Sequence, residues 1–121
     1  MAALWNRRKA FLLLVNATVA NTKLGLKNTT FVDVRNATMF AAGHIPGAMS
    51  IPFNYVRQSI NLGKPKAPST TKDILCYETT TEKAVTACTY YHTSGKYKNV
   101  TLWVLTGGFP AWRAAGLKVE V

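Results

Sequence analysis

The chain has 121 residues, 48% of them hydrophobic, enough for one compact domain with a real core and too few for a second. Fifteen Lys and Arg against five Asp and Glu give a formal charge of +10, a field that draws in small anions. The basic residues are scattered beyond Arg7-Arg8-Lys9 without an aromatic-interleaved stripe, which leaves no specific nucleic-acid partner. Two cysteines and two histidines without C-x-x-C spacing exclude a zinc signature and a disulfide framework, so neither a metal nor a cofactor is expected.

In chain order, residues 9–20 carry Phe11, Leu12, Val15 and Val19 at helix-like spacing, and a first helix is predicted there, with residues 1–30 as helix and lead-in. The Phe11-Leu12-Leu13-Leu14-Val15 run is too short to cross a membrane, which takes about 20 apolar residues. Thr29-Thr30-Phe31-Val32-Asp33-Val34 reads as a strand buried on both faces. Asn36 caps a short helix over residues 37–42 that Gly43 stops, and His44-Ile45-Pro46-Gly47 is a tight turn before a short strand at 48–51. Pro52 is predicted to open a helix through Phe53, Val56 and Ile60, and residues 63–70 have loop composition.

The stretch from Asp73 to Glu82 follows: an apolar run carrying Cys76, then small polar residues leading into a helix. A strand, a tight loop and a helix start gather backbone N–H groups that favour negative charge, and Cys76 is predicted at the mouth of that loop. Thr79-Thr80-Thr81-Glu82 matches a capping box, which gives Glu82 a structural task. In the helix Ala84, Val85, Cys88 and Tyr91 share one face, so Cys88 is read as core, and Gly95 as the stop. Residues 100–105 form another apolar strand, and a last helix follows Gly107-Gly108, with Pro110 in its first turn and Gly116 past its end. Strands alternating with helices, and apolar on both faces, predict an α/β fold: a mainly parallel sheet with helices on both sides and a ligand site beyond the carboxyl ends of the strands.

Phe31-Val32-Asp33-Val34-Arg35, then Phe40-Ala41-Ala42-Gly43-His44-Ile45-Pro46-Gly47-Ala48 and Ile51-Pro52, resemble the N-terminal signature of the rhodanese family. Leu105-Thr106-Gly107-Gly108-Phe109-Pro110-Ala111-Trp112 with Ala115-Gly116-Leu117 resembles its C-terminal one, so the likeness spans about 31–119. It implies a single domain over 1–121 with a five-stranded sheet, whose first helix precedes the Asp-x-Arg strand and belongs to the core, which argues against a removable targeting peptide. The setting expected is cytoplasmic, with the mitochondrion as alternative.

Relatives are sulfurtransferases that carry sulfane sulfur from a donor such as thiosulfate to cyanide or a thiol. By this resemblance Cys76 is the nucleophile and persulfide carrier, the backbone of Tyr77, Glu78, Thr79, Thr80 and Thr81 is the cradle, and Asp33, Arg35 and His44 support the fold near the site. The implied partners are a small sulfur-containing anion or thiol and a protein sulfur acceptor. The loop departs from many active relatives by lacking glycine and a basic residue and by carrying Glu78, which motivates the alternative of a non-catalytic binding or sulfur-relay module. A phosphatase-like reading needs an arginine closing the loop, where Glu82 stands.

Overall fold

The computed structural model describes residues 2–5, 11–55, 59–60, 70–93 and 99–121. Its sheet runs in the order β1-β2-β8-β7-β3-β4: Ala2–Trp5, Phe11–Val15, Thr101–Leu105, Asp73–Tyr77, Thr29–Asp33 and Met49–Ser50. The five strands β2, β8, β7, β3 and β4 are mutually parallel, and β1 pairs antiparallel along the outer side of β2. A second, two-stranded piece pairs β5 (Phe53–Asn54) with β6 (Ser59–Ile60). The helices are α1 (Ala17–Thr22), α2 (Ala37–Ala42), α3 (Thr81–Thr93) and α4 (Gly108–Ala114).

The central strand β7 shows how the sequence builds two cores at once. Successive side chains of a strand point to opposite faces. Ile74 and Cys76 join the cluster that holds Ala84, Ala87 and Cys88 of α3, whereas Leu75 and Tyr77 join the one that holds Ala20 of α1 and Phe109 and Trp112 of α4. Burying each large apolar side chain stabilises the fold by about 1.5–3 kcal/mol. Both faces of β7 are therefore committed to packing, and the strand is held in register on either side by β3 and β8.

Two predicted elements are corrected. Residues 9–20 do not form one helix: Phe11–Val15 is a parallel strand beside β8, and the helix is Ala17–Thr22. A short continuous apolar run fits a buried strand as well as a helix face. Asn16 divides the two, because its side chain accepts the Val19 N–H at 2.8 Å and so starts a helix instead of interrupting one. Leu12, Val15, Ala17 and Ala20 are all buried, so the segment does belong to the core. The helix expected after Pro52 is likewise replaced by the β5–β6 pairing. There Ile51 and Phe53 N–H groups donate to the Asp33 and Val34 carbonyls at 2.9 and 3.1 Å, which holds the backbone extended, while Phe53 packs on Tyr90.

Around α2, the turn before β4 and the buried face of α3 the predictions hold. Asn36 caps α2 by accepting the Met39 N–H at 2.8 Å, and Gly47 takes φ +77 in the turn before β4. Ala84 and Cys88 are buried, Val85 packs at the edge, and Ala87 joins the buried face. The side chain of Tyr91, the stop at Gly95 and the loop at 63–69 lie outside the described residues. Among the described residues no helix is long and apolar enough to cross a membrane.

Candidate functional site

The loop leaving β7 is Glu78-Thr79-Thr80, and it is flanked by the β8–α4 turn. Phe109 N–H donates to the Glu78 carbonyl at 2.8 Å, and Gly107 N–H donates to the Thr81 hydroxyl at 2.8 Å. The three threonines therefore have separate tasks. Thr80 is the cap of α3, accepting the Lys83 N–H at 3.2 Å; Thr81 anchors the neighbouring turn; Thr79 faces a pocket. The cap falls on Thr80, one residue after the Thr79 expected to open a capping box with Glu82, and Glu82 is exposed.

Cys76 is not at the loop mouth. It lies inside β7 with no exposed surface, and its thiol faces Cys88 Sγ at 2.6 Å. Burial, and then the adjacent Cys88 sulfur, push the Cys76 thiol well above the usual thiol range, so the protonated, unreactive form is favoured. The position that opens the loop belongs to Glu78, two residues further on. Of the loop amides, Thr79 N–H turns to its neighbour Glu78 Oε1 at 2.6 Å and not to Cys76. The other carboxylate oxygen accepts from the Tyr55 hydroxyl at 2.7 Å, and burial together with Glu78 raises the pKa of Tyr55. Glu78 is thus a buried carboxylate latched by a half-exposed tyrosine, and it is not among the pocket-lining residues.

The residues of the Asp-x-Arg strand end form a buried ion pair. Arg35 Nη2 lies 2.6 Å from Asp33 Oδ2, Arg35 Nε donates to both carboxylate oxygens at 3.0 and 3.1 Å, and Arg35 Nη2 also reaches the Gly43 carbonyl at 2.7 Å. The same guanidinium lies 4.2 Å from the centre of the Phe109 ring, which fixes its plane at the pocket wall. Tyr77 stacks on Phe109 from the core side, and its oxygen accepts the Ile45 N–H at 3.0 Å. His44 stacks on Phe40 and its ring nitrogens face the Phe40 carbonyl at 2.8 Å and Glu120 Oε1 at 3.2 Å. His44 therefore ties the turn to the segment after α4 and does not line the pocket.

The pocket itself encloses about 470 Å³ between α2, the loop and α4. Met39, Ala42, Phe109 and Pro110 give it apolar walls; Arg35 and Arg113 give it two cations; Gly43 and Thr79 complete the rim. Arg113 is exposed in the last turn of α4 and has no hydrogen-bond or ion-pair partner among the described residues, so its guanidinium is open to a ligand. Arg113, Met39 and Tyr55 were missed at sequence level. Arg113 lies directly beyond the Trp112 that ends the C-terminal signature stretch and was a usable pointer; Tyr55 carried no signal. Among the described residues no group of His, Cys, Asp and Glu is arranged to hold a metal.

A family model described as the rhodanese-like domain matches residues 16–115. A protein of Bacillus halodurans is 28% identical, with a TM-score of 0.74 over 89% of this chain and 76% of its own. The rhodanese-like domain of an Anabaena protein is 28% identical, with a TM-score of 0.70 over 88% of this chain and 77% of its own. A thiosulfate sulfurtransferase from Pseudomonas aeruginosa, 22% identical, has a TM-score of 0.67 over 89% of this chain and 19% of its own, a likeness of fold alone.

Proposed function

The chain belongs to the rhodanese-like domain family, and on that premise we propose that it is a non-catalytic binding module of the fold, taking a small anionic or thiol-bearing ligand at the loop-mouth pocket without carrying sulfur on Cys76. The observation that carries this reading is the burial of Cys76 in β7, facing Cys88, while a carboxylate opens the loop. A persulfide carrier needs a thiolate that meets its donor in solvent. Sulfur transfer from thiosulfate to cyanide or a thiol through Cys76 would require α3 to lift from the sheet at each cycle. Glu78 offers no substitute, because a carboxylate has no sulfur nucleophile to accept a sulfane atom.

Anion binding is supported by the pocket's composition. Arg113, which has no hydrogen-bond or ion-pair partner among the described residues, lines a partly apolar cavity, and the chain's excess of basic residues favours approach of negative charge. Glu78 does not oppose this, since its charge is turned to Tyr55 and the Thr79 amide. The test is a titration of isotope-labelled protein with thiosulfate and with mercaptopyruvate, followed by amide shifts and intact mass. Saturable shifts at Gly43, Thr79 and Phe109 with unchanged mass are expected. Replacing Arg113 by Ala should weaken binding about tenfold or more, the worth of one charged hydrogen bond at about 1.5–3 kcal/mol. A gain of one sulfur, or no shift at the pocket with either ligand, overturns the proposal.

A further inference from the structure

The two cysteines are unused by the pocket reading and carry an inference independent of it. We propose that Cys76 and Cys88 form a redox-dependent internal cross-link, closed by thiol–disulfide exchange with a small disulfide of the glutathione class. Their sulfurs face each other at 2.6 Å, against about 2.05 Å for a bonded pair. The approach is built into the packing: Cys76 is clamped in register between Val32 of β3 and Val104 of β8, and Cys88 sits on the face of α3 whose other buried members, Ala84 and Ala87, are small enough to bring the helix down onto the sheet. Neither thiol has exposed surface, and both are free in this structure. Two buried thiols also pack as small apolar groups, and that is what the reduced form does.

The exchange balances without any other reactant. One cysteine thiolate attacks a sulfur of the small disulfide, forming a mixed disulfide and expelling one small thiolate. The second cysteine, as its thiolate, attacks the protein-side sulfur, closes the Cys76–Cys88 bond and expels the other small thiolate. The two protons lost by the cysteines end on the two small thiols; the protein pair is oxidised and the small disulfide reduced. Because both sulfurs are buried, the bond forms when α3 opens or as the chain folds, and reductant reaches it only by the same opening. Once closed it staples α3 to β7 directly behind the Glu78-Thr79-Thr80 loop.

To test this, the protein is equilibrated in glutathione buffers of graded reduced-to-oxidised ratio, with urea just below the unfolding transition. It is then acid-quenched, alkylated in denaturant and weighed. Oxidised ratios should remove the mass of two hydrogen atoms and all alkylation, reduced ratios should restore both thiols, and digestion should yield a linked peptide containing both cysteines. The oxidised form should also show a higher denaturation midpoint, a shift absent in the Cys88→Ser variant. Should that variant fail to fold, the mass readout on the natural chain decides. Two alkylated thiols at every ratio, or glutathione adducts without an internal bond, would overturn the cross-link.

Discussion

Replacing Gly108 by Ala perturbs the contact that holds the candidate site together, the seat of the β8–α4 turn on the loop after β7. Gly108 has φ +64, a left-handed conformation that costs an L-residue about 1–2 kcal/mol. A Cβ there would overlap the Glu78 carbonyl oxygen and lie 2.7 and 2.9 Å from the Thr79 carbonyl carbon and oxygen, all of them backbone atoms that cannot rotate aside. Relief requires the turn to move off the loop, which gives up the Phe109 N–H bond to Glu78, worth about 1 kcal/mol. The total is about 2–3 kcal/mol, read as a fall in the urea midpoint and a loss of roughly 10 °C in Tm for a domain of this size. Gly47→Ala is the control: φ is +77 but no heavy atom beyond its chain neighbours lies within 4 Å of the added Cβ, so it should lose only the conformational part, about 1–2 kcal/mol, and less than Gly108→Ala. Equal midpoints for the two variants would refute the close seating of turn on loop.

Asp33→Asn leaves the buried Arg35 guanidinium without its counter-charge and should cost about 3–5 kcal/mol in urea denaturation, with Asp33→Ala no better; a loss under about 1 kcal/mol would mean the pair is solvated. Glu78→Gln and Tyr55→Phe break the same latch, so each should lower stability by about 1–3 kcal/mol while the double variant loses less than their sum, and strict additivity would contradict the contact. The raised Cys76 thiol contributes stability that is complete below the unfolded thiol's pKa, about 8.5, and is lost as pH rises beyond it, because the unfolded chain then releases a proton that the folded one keeps. The urea midpoint should therefore fall from about pH 8.5 upward, less steeply in Cys76→Ala, and an identical slope in the two proteins would count against a buried thiol.

Most of the fold was legible because its signals are local. The β-branched runs of β3 and β8, Asn36 as a cap and the glycines around α2 and α4 each dictate a conformation without help from distant residues. The segments that misled are those whose conformation is set by distant partners: Phe11–Val15 becomes a strand because β8 offers an open edge, and Phe53–Asn54 extends because the Asp33 and Val34 carbonyls hold the preceding chain. At the site the error was one of register. The strand runs on to Tyr77, and the period of two then turns Cys76 with Ile74 towards α3. The expected Thr79–Glu82 capping box fitted a loop beginning straight after Cys76, whereas the Lys83 N–H selects Thr80 as the cap. The flanking signatures located the loop correctly and said nothing about which side chain opens it.

The most direct measurement is intact mass after incubating the native protein with thiosulfate, mercaptopyruvate and a small persulfide in turn, followed by removal of excess reagent. With Cys76 buried against Cys88 and Glu78 at the head of the loop, the mass should stay unchanged by every donor, in the natural chain and in Cys76→Ser alike. Stoichiometric gain of one sulfur atom by the natural chain, lost in Cys76→Ser and discharged by cyanide, would contradict the binding-module reading and restore Cys76 as a sulfur carrier.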